Sequence, residues 1–183
     1  MEETSIIISG FGGQGTLFAG QVLAYAAMDN GYEVTWIPSY GPEMRGGTAH
    51  CTVIISETLI GSPLVRYPDI VLALNLPSVD KYEPLMPENG VLIANSSLVN
   101  REFERQEIRT LLLPANQIAE DIGMSRLANM VMTGSMVKME PILTMQMIKA
   151  ALEEHIPERH RETLSMNYKA LERGYAFAEK ELG

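Results

Sequence analysis

The spacing of hydrophobic residues divides the chain into a strand-rich first part and a helical last part. Short β-branched apolar runs that end at glycine, proline, serine or asparagine predict buried strands. These runs cover residues 5–9, 32–37, 48–56, 69–75, 90–95 and 108–113. Apolar residues at helical spacing predict a helix between residues 14 and 30, and a shorter one over residues 78–85. Four more helices are predicted over residues 115–122, 126–138, 141–154 and 158–182, the third of them starting at Pro141.

The order of these elements predicts the fold class. The chain opens as strand, glycine turn, helix and strand, which is the order of a βαβ unit. The near-continuous apolar runs at residues 69–75 and 90–95 are typical of strands that are covered on both faces. We therefore expect an α/β fold, with an open, mostly parallel sheet, a Rossmann-like βαβ start and a helical C-terminal section. No repeat or linker interrupts it, so residues 1–183 are expected to form a single domain.

Composition and charge exclude several classes of function. The net charge of −9 argues against nucleic-acid binding and against electrostatic attachment to anionic lipid. The single cysteine, Cys51, cannot form an internal disulfide, an iron–sulfur cluster or a thiolate zinc site. The sequence starts Met-Glu-Glu, without the basic region of a signal peptide, and no apolar run approaches the ~20 residues of a membrane span. We expect a cytoplasmic protein.

A glycine turn follows the first predicted strand. Residues 10–15 read GFGGQG, so Gly10, Gly12 and Gly15 satisfy the G-x-G-x-x-G spacing. Glycine lets a backbone approach a phosphate closely, and the amides of a following helix favour negative charge. The same spacing also suits a tight joint with no ligand. The second strand ends without the carboxylate that holds a ribose in dinucleotide folds, which counts against NAD or FAD.

A second glycine-rich stretch, YGPEMRGG, lies between two predicted strands at residues 40–47. Arg45, beside Gly46 and Gly47, can offer a bidentate fork to a phosphate or a carboxylate. The alternative is a salt bridge to Glu43 or to a neighbouring chain, which would be energetically weak. Tyr40 is expected either to stack on a base or to cover the sheet edge.

Catalytic and metal-binding patterns are missing from the sequence. The chain has no G-x-S-x-G elbow, no H-E-x-x-H and no Walker lysine. His50 and Cys51 are strand neighbours, so their side chains are expected on opposite faces, with Cys51 a small core or semi-buried residue. Seven methionines between residues 124 and 147 are expected mainly in the core, with some on a surface that docks a partner.

Several motifs occur in an order that is far more specific than the glycine turn alone. They are GFGGQG, SYGPEMRGGTAHCTVIIS, IGSPLV, PDIVLALN and NGVLIANSSLV, with a looser echo in NMVMTG. In this order the chain resembles the gamma subunit of 2-oxoacid:ferredoxin oxidoreductases. The form SYGPEMRGGTA together with NSSL is most similar to the 2-oxoglutarate branch, and the 2-ketoisovalerate branch stays open. The resemblance covers more than half of the chain.

The resemblance implies a role within a larger complex. In this family the complete enzyme decarboxylates a 2-oxoacid on thiamine diphosphate, passes electrons through iron–sulfur clusters to ferredoxin, and forms an acyl-CoA. It implies alpha and beta partner subunits, with a ferredoxin-like delta subunit as a further candidate, and thiamine diphosphate, magnesium and the clusters held by partners. This chain would then hold no cofactor alone but would meet coenzyme A at its surface. The expected coenzyme A-binding residues are Gly10, Gly12, Gly13, Gln14, Gly15, Tyr40, Gly41, Arg45, Gly46 and Gly47, with Pro42 and Glu43 between them.

Three hypotheses follow from the sequence. In the first, the chain shapes the coenzyme A site and has no general acid, base, nucleophile or metal of its own. In the second, its glycine loops serve only the docking of subunits. In the third, it is a stand-alone NAD-type enzyme, which the missing ribose carboxylate makes the weakest. Whether the isolated chain forms a homodimer is left open, since a subunit outside its complex exposes apolar surface.

Overall fold

A computed structural model describes residues 3–39 and 48–183. Its strands are β1 Thr4–Phe11, β2 Glu33–Ser39, β3 Thr48–Ser56, β4 Ile70–Ala73, β5 Val91–Asn95 and β6 Arg109–Leu113. Its α-helices are α1 Thr16–Met28, α2 Leu76–Tyr82, α3 Ala115–Ile122, α4 Ala128–Met139, α5 Met145–His155 and α6 Leu164–Leu182. Short 3-10 helices cover Glu83–Leu85, Ser125–Leu127 and Glu158–Thr163. No helix in the described ranges is long and apolar enough to cross a membrane.

The strands form one sheet in the order β2-β3-β1-β4-β5-β6. Strands β1, β4, β5 and β6 are mutually parallel, whereas β3 is antiparallel to both β1 and β2. The predicted α/β fold with a mostly parallel sheet is thereby confirmed. Helix α1 connects two strands of the same direction, as in a βαβ unit, but β3 lies between them and Val53 pairs with both Ile6 and Trp36.

Burial explains why β3 takes the inner position. Val53, Ile54 and Ile55 of β3 are fully buried, so both faces of this strand are covered, as is typical of an inner strand. Strand β2 is only partly buried along its length and leaves Ile37 40% exposed, so it is suited to the edge. Parallel pairing of β1 with β2 would have placed the more apolar strand at the edge.

Helices cover both faces of the sheet. The larger core lies on the face of Ile6 and Ile8, beneath α1, α4, α5 and α6. The smaller core lies on the face of Ile7, beneath α2 and the connection between β5 and β6. The two cores follow from the alternation of side chains along β1.

The connection between β5 and β6 has no helix, and a buried carboxylate holds it in place. Glu83, 1% exposed, accepts hydrogen bonds from Arg101 Nη2 at 2.8 Å and from the backbone amides of Glu104 and Arg105 at 2.5 and 3.0 Å. A buried carboxylate is tolerated only when it is paired in this way. This anchor fixes the segment against α2, and no sequence pattern predicted it.

Helix α5 begins four residues later than predicted. Pro141 does not start it, because Thr144 is the N-cap and its side chain accepts a hydrogen bond from Met147 N at 3.2 Å. Pro141 instead lies in the turn after α4, where Ile142 N donates to Glu140 O. The predicted starts at residues 126 and 158 also fall within 3-10 turns rather than α-helix.

Helix α4 is the most buried helix, with eleven of its twelve residues inside the protein. Most of the methionines predicted for the core are there: Met130, Met132, Met136 and Met139. Met124, Met145 and Met147 are half-buried against the same core. None of these seven methionines is therefore exposed in the described structure, and the predicted methionine docking surface is not found.

Helices α4 and α6 cross closely because each carries a glycine at the contact. A Cβ atom on Gly174 would collide with the carbonyl oxygen of Val131, and one on Gly134 with that of Leu171. Neither obstacle is a flexible side chain, so the two helices would have to separate.

Cys51 fills the space between β3 and α1. Its thiol is fully buried and donates to Thr16 O at 3.3 Å, and a Cβ atom on Gly20 would collide with the sulfur. His50 contacts Tyr82 of the other core, so the two neighbours do lie on opposite faces. Burial raises the pKa of the Cys51 thiol from 9.0 to about 12, outweighing the opposing effect of Trp36.

We expect Gly174→Ala to lower the free energy of unfolding by ~3 kcal/mol, because the added methyl group forces backbone apart. Urea denaturation followed by circular dichroism would measure it. Gly61→Ala is the matched control, since no atom lies within 4 Å of the position that its added Cβ would occupy, and it should change stability by less than ~0.5 kcal/mol. Equal effects of the two substitutions would contradict the close crossing.

We expect Cys51 to make stability fall at alkaline pH. A folded-state pKa of about 12 against 9.0 means that the unfolded chain ionises first, so the contribution is complete below pH 9 and is lost as pH rises toward 12. The stability difference between wild type and Cys51→Ala should be constant below pH 8 and then shrink by up to ~1.4 kcal/mol per pH unit. A constant difference up to pH 11 would contradict a buried thiol.

Candidate functional site

The candidate site lies at the edge of the sheet where the parallel strands end. Helix α1 leaves β1 on the side of the larger core, and α2 leaves β4 on the side of the smaller core. The adjacent strands β1 and β4 are therefore a topological switch point, where open α/β sheets place their ligands. The glycine turn begins at this crevice.

Gln14 braces the glycine turn from within. Its side-chain oxygen accepts from Phe11 N at 2.5 Å, and its Nε2 donates to Leu74 O at 3.4 Å, across the β1–β4 crevice. A Cβ atom on Gly10 would lie 2.6 Å from that oxygen and 2.9 Å from Leu74 Cβ. Gly10 and Gln14 therefore support the joint between the two strands.

Gly15 connects the turn to α1 and to α4. Its φ of 74° is in the left-handed region, and Asn129 Nδ2 donates to its carbonyl oxygen at 3.0 Å. A Cβ atom there would lie 2.5 Å from Asn129 Nδ2. Gly15 is needed for both backbone conformation and close approach.

Gly12 and Gly13 face outward and leave open space in front of α1. Gly13 has a φ of 92°, and no atom lies within 4 Å of the position its Cβ would occupy. The first amides of α1, those of Thr16, Leu17 and Phe18, have no acceptor among the described residues, and no acidic residue occupies the first turn. Such a helix start attracts an anion.

Arg126 is the one arginine or lysine among the described residues that lines the cavities at this open space. It lies on the 3-10 turn Ser125–Leu127 and lines two cavities that meet at Gly13, of about 220 Å³ and about 670 Å³. The side chain is exposed, and no carboxylate among the described residues pairs with it. In a chain with 23 acidic and 14 basic residues, an unpaired arginine at an uncapped helix start favours an anionic ligand.

Asparagines shape the floor of the site at the ends of β4 and β5. Asn95 Oδ1 accepts from Ala115 N at 3.1 Å, and its Nδ2 donates to Asn116 Oδ1 at 2.9 Å, which orients Asn116 at the smaller cavity. Asn75 caps α2 by accepting from Ser78 N at 3.0 Å. Its buried Nδ2 has no partner in the described structure. Polar side chains thus replace apolar ones where the buried strands end.

The structure places half of the predicted site residues at this edge. Gly10, Gly12, Gly13, Gln14 and Gly15 form the turn. The other predicted residues lie outside the described residues: Tyr40, Gly41, Arg45, Gly46 and Gly47, with Pro42 and Glu43. The strands that flank them do end at this edge, because Thr48 pairs with Phe11 and Ser39 with His50.

Sequence reasoning missed Arg126, Asn116 and Asn129. For two other asparagines of the floor, Asn75 and Asn95, the sequence did carry a signal, because each is a polar residue at the end of an apolar run. Arg126 carried no such signal, because a single arginine between two predicted helices looks like any surface residue. Within the described ranges, no cluster of three or more histidine, cysteine or acidic side chains could hold a metal ion.

The topology also weakens the NAD hypothesis. In dinucleotide folds the second strand is the neighbour of the first, and its end carries the ribose-binding carboxylate. Here β3 separates β2 from β1, and β2 ends at Ile37, Pro38 and Ser39. No acidic residue of β2 is therefore at the position that a ribose would require.

Comparison with known proteins relates this edge to a family. The family described as pyruvate ferredoxin/flavodoxin oxidoreductase matches residues 5–177. The ketoisovalerate oxidoreductase subunit VorA of Methanothermobacter thermautotrophicus is 36% identical over 98% of this chain, which spans only 37% of the length of that relative. The 2-oxoglutarate synthase subunit KorC of Methanocaldococcus jannaschii is 33% identical over 96% of this chain and 94% of its own length.

Solved structures share the same fold. The gamma subunit of a keto/oxoacid ferredoxin oxidoreductase from Geobacter sulfurreducens matches 97% of this chain and 99% of its own, with a TM-score of 0.83 and 32% identity. The 2-oxoglutarate:ferredoxin oxidoreductase from Magnetococcus marinus, with 2-oxoglutarate, coenzyme A and succinyl-CoA bound, matches 98% of this chain and 32% of its own, with a TM-score of 0.86 and 21% identity. The chain belongs to the pyruvate ferredoxin/flavodoxin oxidoreductase family, in which it corresponds to the gamma subunit of the 2-oxoacid:ferredoxin oxidoreductases.

Proposed function

We propose that this chain holds coenzyme A in a complex that oxidatively decarboxylates 2-oxoglutarate and reduces ferredoxin. The observation that carries the proposal is the unpaired Arg126 beside the uncapped start of α1, at the mouth of two cavities. Coenzyme A carries a pyrophosphate and a third phosphate, which suit amides and an arginine fork. The proposal treats residues 1–183 as one gamma-type domain.

The proposed binding residues are divided by what they can offer. Gly12 and Gly13 leave room for a phosphate, the amides of α1 donate to it, and Arg126 neutralises its charge. Arg45, Tyr40 and the glycines beside them remain proposed members of the site, at the edge where their flanking strands end. Gly10 and Gln14 would support the turn instead of touching the ligand.

The chain's contribution to the reaction would be positional. Holding the coenzyme A near an acyl group made by partner subunits replaces a bimolecular encounter, which can be worth ~7 kcal/mol of barrier. We assign this chain no nucleophile, because its only thiol is buried with a pKa of about 12. Thiamine diphosphate, magnesium and iron–sulfur clusters are proposed to be held by alpha and beta partners, with a ferredoxin-like delta subunit as a further candidate and ferredoxin as acceptor.

The 2-ketoisovalerate reaction is the second candidate. It is favoured by the 36% identity to VorA, against 33% to KorC, and a difference of this size does not separate the two substrates. The match covers 94% of the KorC subunit itself but only 37% of VorA, which is the reason to put 2-oxoglutarate first. Swapping the oxoacid in a purified complex would decide between them.

A docking role is compatible with this proposal, because the chain offers a separate surface that we propose for docking. The loop between β3 and β4 exposes Leu59 and Leu64 by 85% and 83%, and Tyr67 by 59%. This loop follows Ser56, which pairs with Glu33, so it lies at the sheet edge opposite the glycine turn. Exposed apolar side chains of this kind mark a contact with another protein. Substitutions at the two edges should therefore separate assembly from ligand binding.

We expect Arg126→Gln to raise the KM for coenzyme A about tenfold or more in the assembled complex, because a charge-assisted bond to phosphate is worth ~1.5–3 kcal/mol. The KM for 2-oxoglutarate and the co-purification of partners should not change. The measurement is oxygen-free dye reduction with the tagged chain and its native partners. Arg173→Gln is the matched control, since it removes an exposed arginine of α6 that lines neither cavity at the glycine turn.

Arg45→Ala tests the second predicted stretch in the same assay. It should raise the coenzyme A requirement and leave oxoacid-dependent decarboxylation largely intact. Loss of co-elution with the partners, at normal coenzyme A dependence, would instead support the docking hypothesis for that loop. If neither arginine changes the KM for coenzyme A, the proposed site is wrong.

A further inference from the structure

A third cavity, of about 410 Å³, lies along α1 beyond the glycine turn. Phe18, Val22 and Leu152 form apolar walls between α1 and α5. At one end the rings of Tyr25 and His155 stack in parallel, 3.9 Å apart with an interplanar angle of 8°. His155 is held there by Asp29 Oδ2 at 2.8 Å from its Nε2. The cavity therefore offers flat, fixed aromatic surfaces.

Polar groups lie at specific points of this apolar cavity. Gln21 lies on the α1 side, and Arg159 and His160 lie on the 3-10 turn after α5. The one described contact of the Arg159 guanidinium is from Nε to His160 Nε2 at 3.2 Å, and no described carboxylate pairs with it. Two residues later, Arg161 is paired with Glu158 at 2.9 Å. Arg159 is thus a cation left without a counter-charge in the described structure.

This cavity adjoins the groove at the glycine turn. Phe18, Ile156 and His160 line both the 410 Å³ cavity and the 670 Å³ groove that reaches Gly13. From Gly15 to Tyr25, α1 advances by about 15 Å. An anion-favouring helix start and an aromatic pocket with a second unpaired arginine therefore lie next to each other along α1.

We propose that this cavity receives the adenine ring and the 3′-phosphate of coenzyme A. The inference rests on the proposed function, and it adds the orientation of the ligand on this chain. The purine lies between the Phe18 wall and the Tyr25–His155 pair, the Gln21 amide meets its polar edge, and Arg159 meets the 3′-phosphate. The pyrophosphate then reaches the start of α1, and the pantetheine arm leaves over the sheet edge.

Charge and shape favour this orientation over the reverse one. A thiol-bearing pantetheine arm is slender and uncharged, so neither an aromatic pocket nor an arginine would serve it. The nucleoside is flat and carries a phosphate, and both features have a counterpart here. Glu162 lies on the groove wall near the glycine turn and does not line the 410 Å³ cavity, so it does not oppose a phosphate there.

The test compares coenzyme A with dephospho-coenzyme A, which lacks only the 3′-phosphate. In the assembled complex, Arg159→Gln should raise the KM for coenzyme A about tenfold and leave the KM for dephospho-coenzyme A and for the oxoacid unchanged. Arg161→Gln, which removes an exposed arginine two residues away that does not line the cavity, is the control and should change neither value. An equal rise for both forms, or none, would overturn the proposal.

A second measurement uses the purified chain, because the aromatic rings and the arginine that the proposal invokes all belong to this chain. Titration of the purified chain with adenosine 3′,5′-bisphosphate, followed by isothermal calorimetry, should show binding that Arg159→Gln weakens about tenfold and Arg161→Gln does not. Absence of binding by the wild-type chain would overturn the inference. Failure of the complex to use coenzyme A would instead overturn the proposed function, so the two failures can be told apart.

Discussion

The hydrogen bond from Asn129 Nδ2 to the carbonyl oxygen of Gly15 connects residues 114 positions apart, and the candidate site depends on it. It fixes the glycine turn to α4, the helix that is buried between the sheet and α6. The glycine turn then determines the direction in which the first amides of α1 point. Because Asn129 follows Ser125–Leu127 closely, the same contact places Arg126 beside those amides. A local motif therefore acquires its geometry from the far end of the chain.

Much of the fold could be predicted because its signals are local. The apolar runs of β3 and β5 were placed within a residue of their observed bounds, and α3 was placed without error. Two kinds of prediction failed: those in which two residues compete to start a helix, and those that depend on pairing between distant segments. Thr144 caps α5 in place of a start at Pro141 because its side chain accepts a hydrogen bond from Met147 N, which proline has no side-chain group to do. The insertion of β3 between β1 and β2 depends on how many faces of each strand are buried, which no single segment reveals.

The candidate site was half predictable for a related reason. Gly13 and Gly15 could be predicted as members of the glycine turn because a positive φ limits the choice of residue, so the requirement is visible in the sequence. The sequence did not show that Gln14 braces the turn, because a spacing motif does not say where a side chain points. Sequence reasoning missed Arg126 and Arg159 because what sets them apart is that no described carboxylate pairs with them in the folded chain. Charge balance around a cavity is a property of the folded chain alone.

The contact between α4 and the glycine turn also has a consequence for how the protein is made. Strand β1 and the turn are synthesised before Asn129, which follows Gly15 by more than a hundred residues and holds the turn in place. Helix α6, which covers α4 through Gly174, is synthesised after α4. Until α4 and α6 have been made, the apolar strands lack their helical cover on that face, and exposed apolar strands are prone to aggregation. The groove at the glycine turn can therefore reach its final geometry only after both helices have been synthesised.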